Sequence, residues 1–215
     1  MSAIGMKEIQ KTLLDIMEEI NSNRTESFNE LAYIYATSKS ESYLRDKLAI
    51  SLQKKYADWI IAREYVHPKS VGITDNHRFD IAVLEINNNI AEPLLIIELK
   101  TWYCHDISKE AVWSSLVNDQ KRIDALSAKI NRAITSIQII SFTHITNKED
   151  DLHNGIIKYQ TFINNDILQA KKKYPEAIDQ YFSNRMHPQQ HFIKIETEAG
   201  IYQNRKIKNY LYLFS

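Results

Sequence analysis

The chain has 215 residues, 44% of them hydrophobic, and its 27 basic and 27 acidic side chains cancel at neutral pH. That length supports one sizeable core, and the zero balance means that a nucleic-acid partner must be met by a local basic surface rather than by overall charge. A single cysteine, Cys104, excludes a disulfide framework and a CxxC zinc pair; among only four glycines neither GxxxxGK nor GxGxxG occurs, which argues against ATPase and Rossmann-type phosphate loops.

In chain order, residues 6 to about 20 place Ile9, Leu13, Ile16 and Ile20 on one helical stripe, followed by the polar break NSNRTES and a short helical segment through Leu31 and Tyr35. A stronger helix is predicted from Ser40, a candidate N-cap, to about Tyr56, with Leu44, Leu48 and Leu52 in register. The run WIIAREYV then reads as a strand stopped by His67-Pro68. RFDIAVLEI and LLIIELK read as two further strands joined by the asparagines of residues 87–89, a hairpin. A long helix follows from Lys109 to about Ile130, then a buried strand over 134–145. Beyond Asn147 the pattern predicts helices at about 155–172 and 175–182 and two terminal strands, HFIKIETE and NYLYLF. The order helix, three strands, helix, strand implies an α/β fold with a mixed central sheet flanked by helices. The expected organisation is an N-terminal helical cap over 1–37, a core over 38–146 and a C-terminal extension over 147–215 packed on the same domain.

The chemistry-bearing residues lie at the open end of the hairpin. With its turn on the asparagines, Asp80 and Glu98 fall roughly opposite each other, about 5 Å apart at Cβ. Strand alternation puts Lys100 on the face of Glu98. The neighbours Ile81, Val83, Leu95, Ile96 and Ile97 are so apolar that unpaired charge there would be costly, and a bound cation would relieve it. Two carboxylates are what Mg²⁺ uses when it keeps waters and takes phosphate oxygens, and a lysine beside them can orient water or stabilise charge developing on phosphate. The bland alternative is a strand-end ion pair of Glu98 and Lys100 with Asp80 capping a turn. Against it, Glu41 falls inside the stripe of Leu44, Leu48 and Leu52 at about 100° per residue, whereas Asp46 points away. The inward Glu41 either reaches a metal through water or pairs with Arg45 one turn on.

These residues resemble the PD-(D/E)xK nuclease superfamily, which includes many restriction endonucleases and repair nucleases. The resemblance spans about residues 38–145: the helix with Glu41, Asp80 in RFD, Glu98-Leu99-Lys100 in IIELK, and the helix and strand that follow. Phe79 stands where the superfamily's name puts proline. The resemblance implies a restriction-endonuclease-like core, Asp80 and Glu98 as metal ligands, Lys100 as the catalytic lysine and Glu41 as an accessory acid. It also implies Mg²⁺, with Mn²⁺ able to substitute, but selects no substrate. DNA is the expectation, in a restriction or other host-defence setting, because about one catalytic domain carries a C-terminal extension that could recognise a target. An RNA-processing nuclease, a non-catalytic binding module on the same fold, and a homodimeric assembly stay open.

Asp119 projects onto the stripe of Leu116, Ile123, Leu126 and Ile130, where a hydrogen bond or ion pair at the core edge is favoured over catalysis; Gln120 is a weaker form of the same idea. Cys104, His105 and Asp106 lack a distant metal-ligand partner motif, and Pro188 argues against a helix presenting His187 and His191 together. Lys171 to Lys173 and Arg205 to Lys208, with Tyr174 and Tyr202 nearby, could touch phosphates but read as solvated faces. No signal peptide and no apolar run long enough to cross a bilayer is legible, so a cytoplasmic protein without a membrane partner is expected.

Overall fold

The computed structural model describes residues 4–68, 78–87, 90–103, 106–107, 109–145, 176–185 and 192–215. Within them, an α/β architecture is built on a six-stranded mixed open sheet of order β1-β2-β3-β4-β6-β5. The helices are α1 (Met6–Ser22), α2 (Glu30–Thr37), α3 (Glu41–Lys55), α4 (Glu110–Ile130) and α5 (Glu176–Arg185). The strands are β1 (Ile60–Tyr65), β2 (Phe79–Asn87), β3 (Ile90–Trp102), β4 (Thr135–Ile145), β5 (Ile193–Tyr202) and β6 (Arg205–Phe214). The expected helix over 155–172, Lys171 to Tyr174, Cys104, His105, His187 and His191 lie outside the described residues. Among the described residues no helix is long and apolar enough to cross a membrane.

Alternation along the strands makes three layers. Ile81, Val83, Ile97, Leu99, Ile137 and Ile139 face α1, α2 and α3, packing on Leu13, Tyr35, Leu44 and Leu48. The intervening residues face the other way: Ala82, Leu84 and Ile96 pack on Ile123 and Leu126 of α4. Ile140, Phe142 and Tyr212 pack on Trp113 of α4 and Phe182 of α5. Both faces of β2, β3 and β4 are thus covered, which is why their sequences read as nearly continuous apolar runs.

The chain passes from β3 through α4 into β4, and this crossover makes the β3–β4 pair parallel. The two terminal strands are part of the same sheet: β6 pairs antiparallel with β4, and β5 forms the outer edge. A buried polar chain ties the helical layer to the sheet. Asn209 Nδ2 donates to Tyr35 Oη at 2.8 Å, Ser141 Oγ donates to Asn209 Oδ1 at 2.9 Å, and Ser40 Oγ lies 3.1 Å from Ser141 Oγ and 3.2 Å from Thr101 Oγ1. Ser40 does stand at the N-cap position of α3, yet its hydroxyl caps nothing, because these buried partners claim it instead.

Candidate metal-dependent catalytic site

The pairing of β2 with β3 sets the site. Near the turn the register runs Asn87↔Ile90 to Leu84↔Pro93; it then shifts by one residue, so that Val83 faces Leu95 and Ile81 faces Ile97. Carried one step further, this puts Asp80 opposite Glu98. Without the shift Asp80 would face Ile97, and a one-residue slip moves side chains to the wrong face of the sheet. Pro93, which lacks an N–H, sits at the irregularity, where a lost ladder bond is tolerated.

β3 continues past its Ile81↔Ile97 pair with β2, and among the described residues its outward N–H groups at alternate residues then lack a strand partner. Carboxylates take that role. Leu99 N–H donates to Asp80 Oδ2 at 2.8 Å, Thr101 N–H to Glu41 Oε2 at 3.3 Å, and Tyr103 N–H to Asp106 Oδ2 at 2.9 Å. The first turn of α3 therefore delivers Glu41 to the strand carrying Glu98 and Lys100, as its inward phase on the helix predicted. The expected alternative partner of Glu41, Arg45, instead reaches Glu64 at 2.8 Å, Asp46 at 3.2 Å and Asp80 at 3.9 Å.

On the α4 side of the sheet, Glu98 is 2% exposed and Asp119 is 5% exposed. Lys100 Nζ lies 2.8 Å from Asp119 Oδ2 and 4.0 Å from Glu98 Oε2, so Asp119, not Glu98, is its closer partner. Arg122, one turn beyond Asp119 on α4, bonds Asp119 Oδ1, and its guanidinium lies 3.6 Å from Glu98 Oε1. Sequence reasoning missed Arg122; its spacing of three from an inward Asp119 was the available signal. Gln120 turns to the other flank, bonded to Asp124 and Ser136, and takes no part.

Electrostatically the site is overloaded with acid. Burial, then the charges of Asp80 and Asp119, push the Glu98 carboxyl up to about 9. Burial and Asp80 also raise Glu41. Burial opposes the Lys100 ammonium, but the bond to Asp119 and the surrounding carboxylates outweigh it, leaving the lysine above its ordinary value. Glu98 Oε1 is enclosed and accepts no hydrogen bond. No group of three or more His, Cys, Asp or Glu is placed to hold a metal among the described residues. The donor set that the sequence reading assigns to a cation is the two carboxylates of Asp80 and Glu98. It is all oxygen and has no soft ligand, which fits a hard cation that fills its remaining positions with water and phosphate oxygens. Comparison with known protein families, curated proteins and solved structures found no significant match.

Proposed function

We propose that the chain is a Mg²⁺-dependent nuclease that hydrolyses DNA phosphodiester bonds on a restriction-endonuclease-like, PD-(D/E)xK core. One observation carries this reading: Glu98 is buried on an interior strand, opposite Asp80 and near Asp119, with one oxygen that accepts no hydrogen bond. A carboxylate so placed is held against its electrostatic preference, and a divalent cation shared with Asp80 reconciles the two.

Asp80 keeps Oδ2 on the Leu99 N–H, which fixes the carboxylate, and with Glu98 it would hold the cation. Bound Mg²⁺ supplies Lewis acidity toward the phosphate and lowers the pKa of a coordinated water. Lys100 stays protonated beside Asp119 and presents a positive charge where negative charge develops on the attacked phosphate. Asp119 acts through Lys100 as a positioning residue, and Arg122 steadies Asp119 in turn. Glu41, anchored on the Thr101 N–H, is placed to order water at the edge of the site.

The test is incubation of purified protein with plasmid, single-stranded DNA and structured RNA in Mg²⁺, Mn²⁺ or EDTA, with Asp80→Asn in parallel. Metal-dependent DNA cleavage that disappears in the variant is expected. Cleavage of RNA alone would reassign the substrate, and activity retained in Asp80→Asn would refute the site.

A further inference from the structure

Beside the mouth of this site, on the β1 side, lies a chain of charges that the proposed chemistry does not use. The pairs Arg63↔Ile81 and Tyr65↔Phe79 place Glu64 across from Asp80, so Glu64, Asp80 and Glu98 form one row of acids over three strands. Like charges opposed in this way destabilise a sheet. At Glu64 the backbone enters the left-handed region, φ 48°, which a glutamate seldom adopts. Its carboxylate is occupied by two arginines: Oε1 lies 2.8 Å from Arg45 Nη1 and Oε2 lies 2.7 Å from Arg78 Nη1. Asp46, which the helical wheel had turned outward, bonds Arg45 at 3.2 Å and Arg63 at 3.1 Å.

Three guanidinium groups thus share two carboxylates next to the acids. Arg45 is enclosed, with a side chain 15% exposed, and belongs to the site's own balance through Asp80. Arg63 and Arg78 are not enclosed: their side chains are 51% and 65% exposed. Ion pairs this open to water add little stability, so the gain in folding does not account for the strained glutamate. A guanidinium has five N–H donors in a fixed fork; one carboxylate engages part of it and leaves the rest toward solvent. The protein has no net charge to attract a polyanion and its site is acidic, so a phosphate backbone must find its attraction on the rim.

We propose that Arg63 and Arg78 form that rim and receive the backbone phosphates of duplex DNA next to the bond addressed by Asp80 and Glu98, with Asp46 and Glu64 holding the two forks in place beforehand. This deepens the nuclease reading and rests on it.

The test is the salt dependence of binding. The full chain, with Ca²⁺ replacing Mg²⁺, is titrated onto a labelled duplex between about 50 and 200 mM salt. The double variant Arg63→Gln/Arg78→Gln should lose about two in the slope of log affinity against log salt, about one per phosphate contact removed. Arg63→Lys/Arg78→Lys should keep the slope, because it keeps the charges. A control with the same change of net charge, Lys11→Gln/Lys129→Gln on exposed helical positions, should match wild type. An unchanged slope in the glutamine double variant, or an equal loss in the control, overturns the rim. If wild type still cleaves DNA in an Asp80-dependent manner, that failure leaves the nuclease standing. Wild type that neither binds nor cleaves nucleic acid overturns both.

Discussion

Glu98→Gln offers the sharpest check on the electrostatics, because it removes one titratable group from a buried position with almost no change of shape. In the metal-free protein the Glu98 carboxyl is pushed from its ordinary value near 4.5 up to about 9 by burial and by Asp80 and Asp119. Between those values the folded protein holds a proton that the unfolded chain has released. Stability is therefore full below the unfolded value and falls as pH rises, by at most about 1.4 kcal/mol per pH unit, until the folded value is passed. From about pH 5 to about pH 8 the loss approaches about 4 kcal/mol, a large share of a typical stability of about 5–15 kcal/mol. The glutamine variant has no such proton to lose. Urea unfolding in EDTA across this window should show the stability difference, variant minus wild type, growing by about 2–4 kcal/mol toward high pH. Glu41 and His144, whose titrations are also shifted, remain in both proteins and cancel in the difference. A difference constant to within about 0.5 kcal/mol across the window would refute the reasoning, since Glu98 would then titrate alike in both states. Mg²⁺ at about 100 times its dissociation constant should return about 2.7 kcal/mol to wild type at pH 8 and little to the variant.

Lys100→Met should lower the single-turnover cleavage rate on the order of a hundredfold, the scale of one preorganised electrostatic group, while duplex binding persists. Its melting point should fall by a few degrees because Asp119 loses its partner at 2.8 Å; an earlier melt with an unchanged cleavage rate would make the lysine purely structural. Glu41→Gln should slow cleavage more than Asp46→Asn, since Glu41 meets the strand carrying Glu98 whereas Asp46 meets Arg45 and Arg63; single-turnover rates in the reverse order would refute this. Asn209→Ala should cost about 2–4 kcal/mol in urea unfolding at any pH, because Tyr35 and Ser141 lose buried partners, and a loss below about 0.5 kcal/mol would show that the polar chain carries no stability.

The elements with strong local signals were legible. Asparagines between two β-branched runs specify a hairpin, and a leucine stripe specifies which way Glu41 turns. The opposition of Asp80 and Glu98 was legible only roughly, because a symmetric hairpin would have paired Asp80 with Ile97 and the shift beyond Val83 corrects it. What periodicity does not contain is non-local choice. β6 inserts between β4 and β5, a pairing that no local pattern announces. Lys100 faces both Glu98 and Asp119, and only the seating of α4 across the sheet decides that Asp119 is nearer. Ser40 carried a correct capping signal and spent its hydroxyl elsewhere, since a buried Ser141 and Thr101 compete better than a solvent-accessible helix end.

The gathering of acids at one end of β3 has a structural cause that separates the informative residues from the uninformative ones. A strand that outruns its neighbour exposes N–H groups at every second residue, and leaving them buried and unbonded costs about as much as a lost hydrogen bond each. Asp80, Glu41 and Asp106 answer that need at Leu99, Thr101 and Tyr103, and a protein with no catalytic role would have reason to keep them. Glu98 answers no such need. It lies within the ladder, its own backbone is paired toward β4, its side chain accepts no hydrogen bond at Oε1, and burial with the charges of Asp80 and Asp119 pushes its carboxyl up. The fold therefore accounts for three of the four acids through the strand N–H groups they accept from, and Glu98, with Arg122 3.6 Å from Oε1 and Lys100 4.0 Å from Oε2, is the one on which the proposed metal site rests.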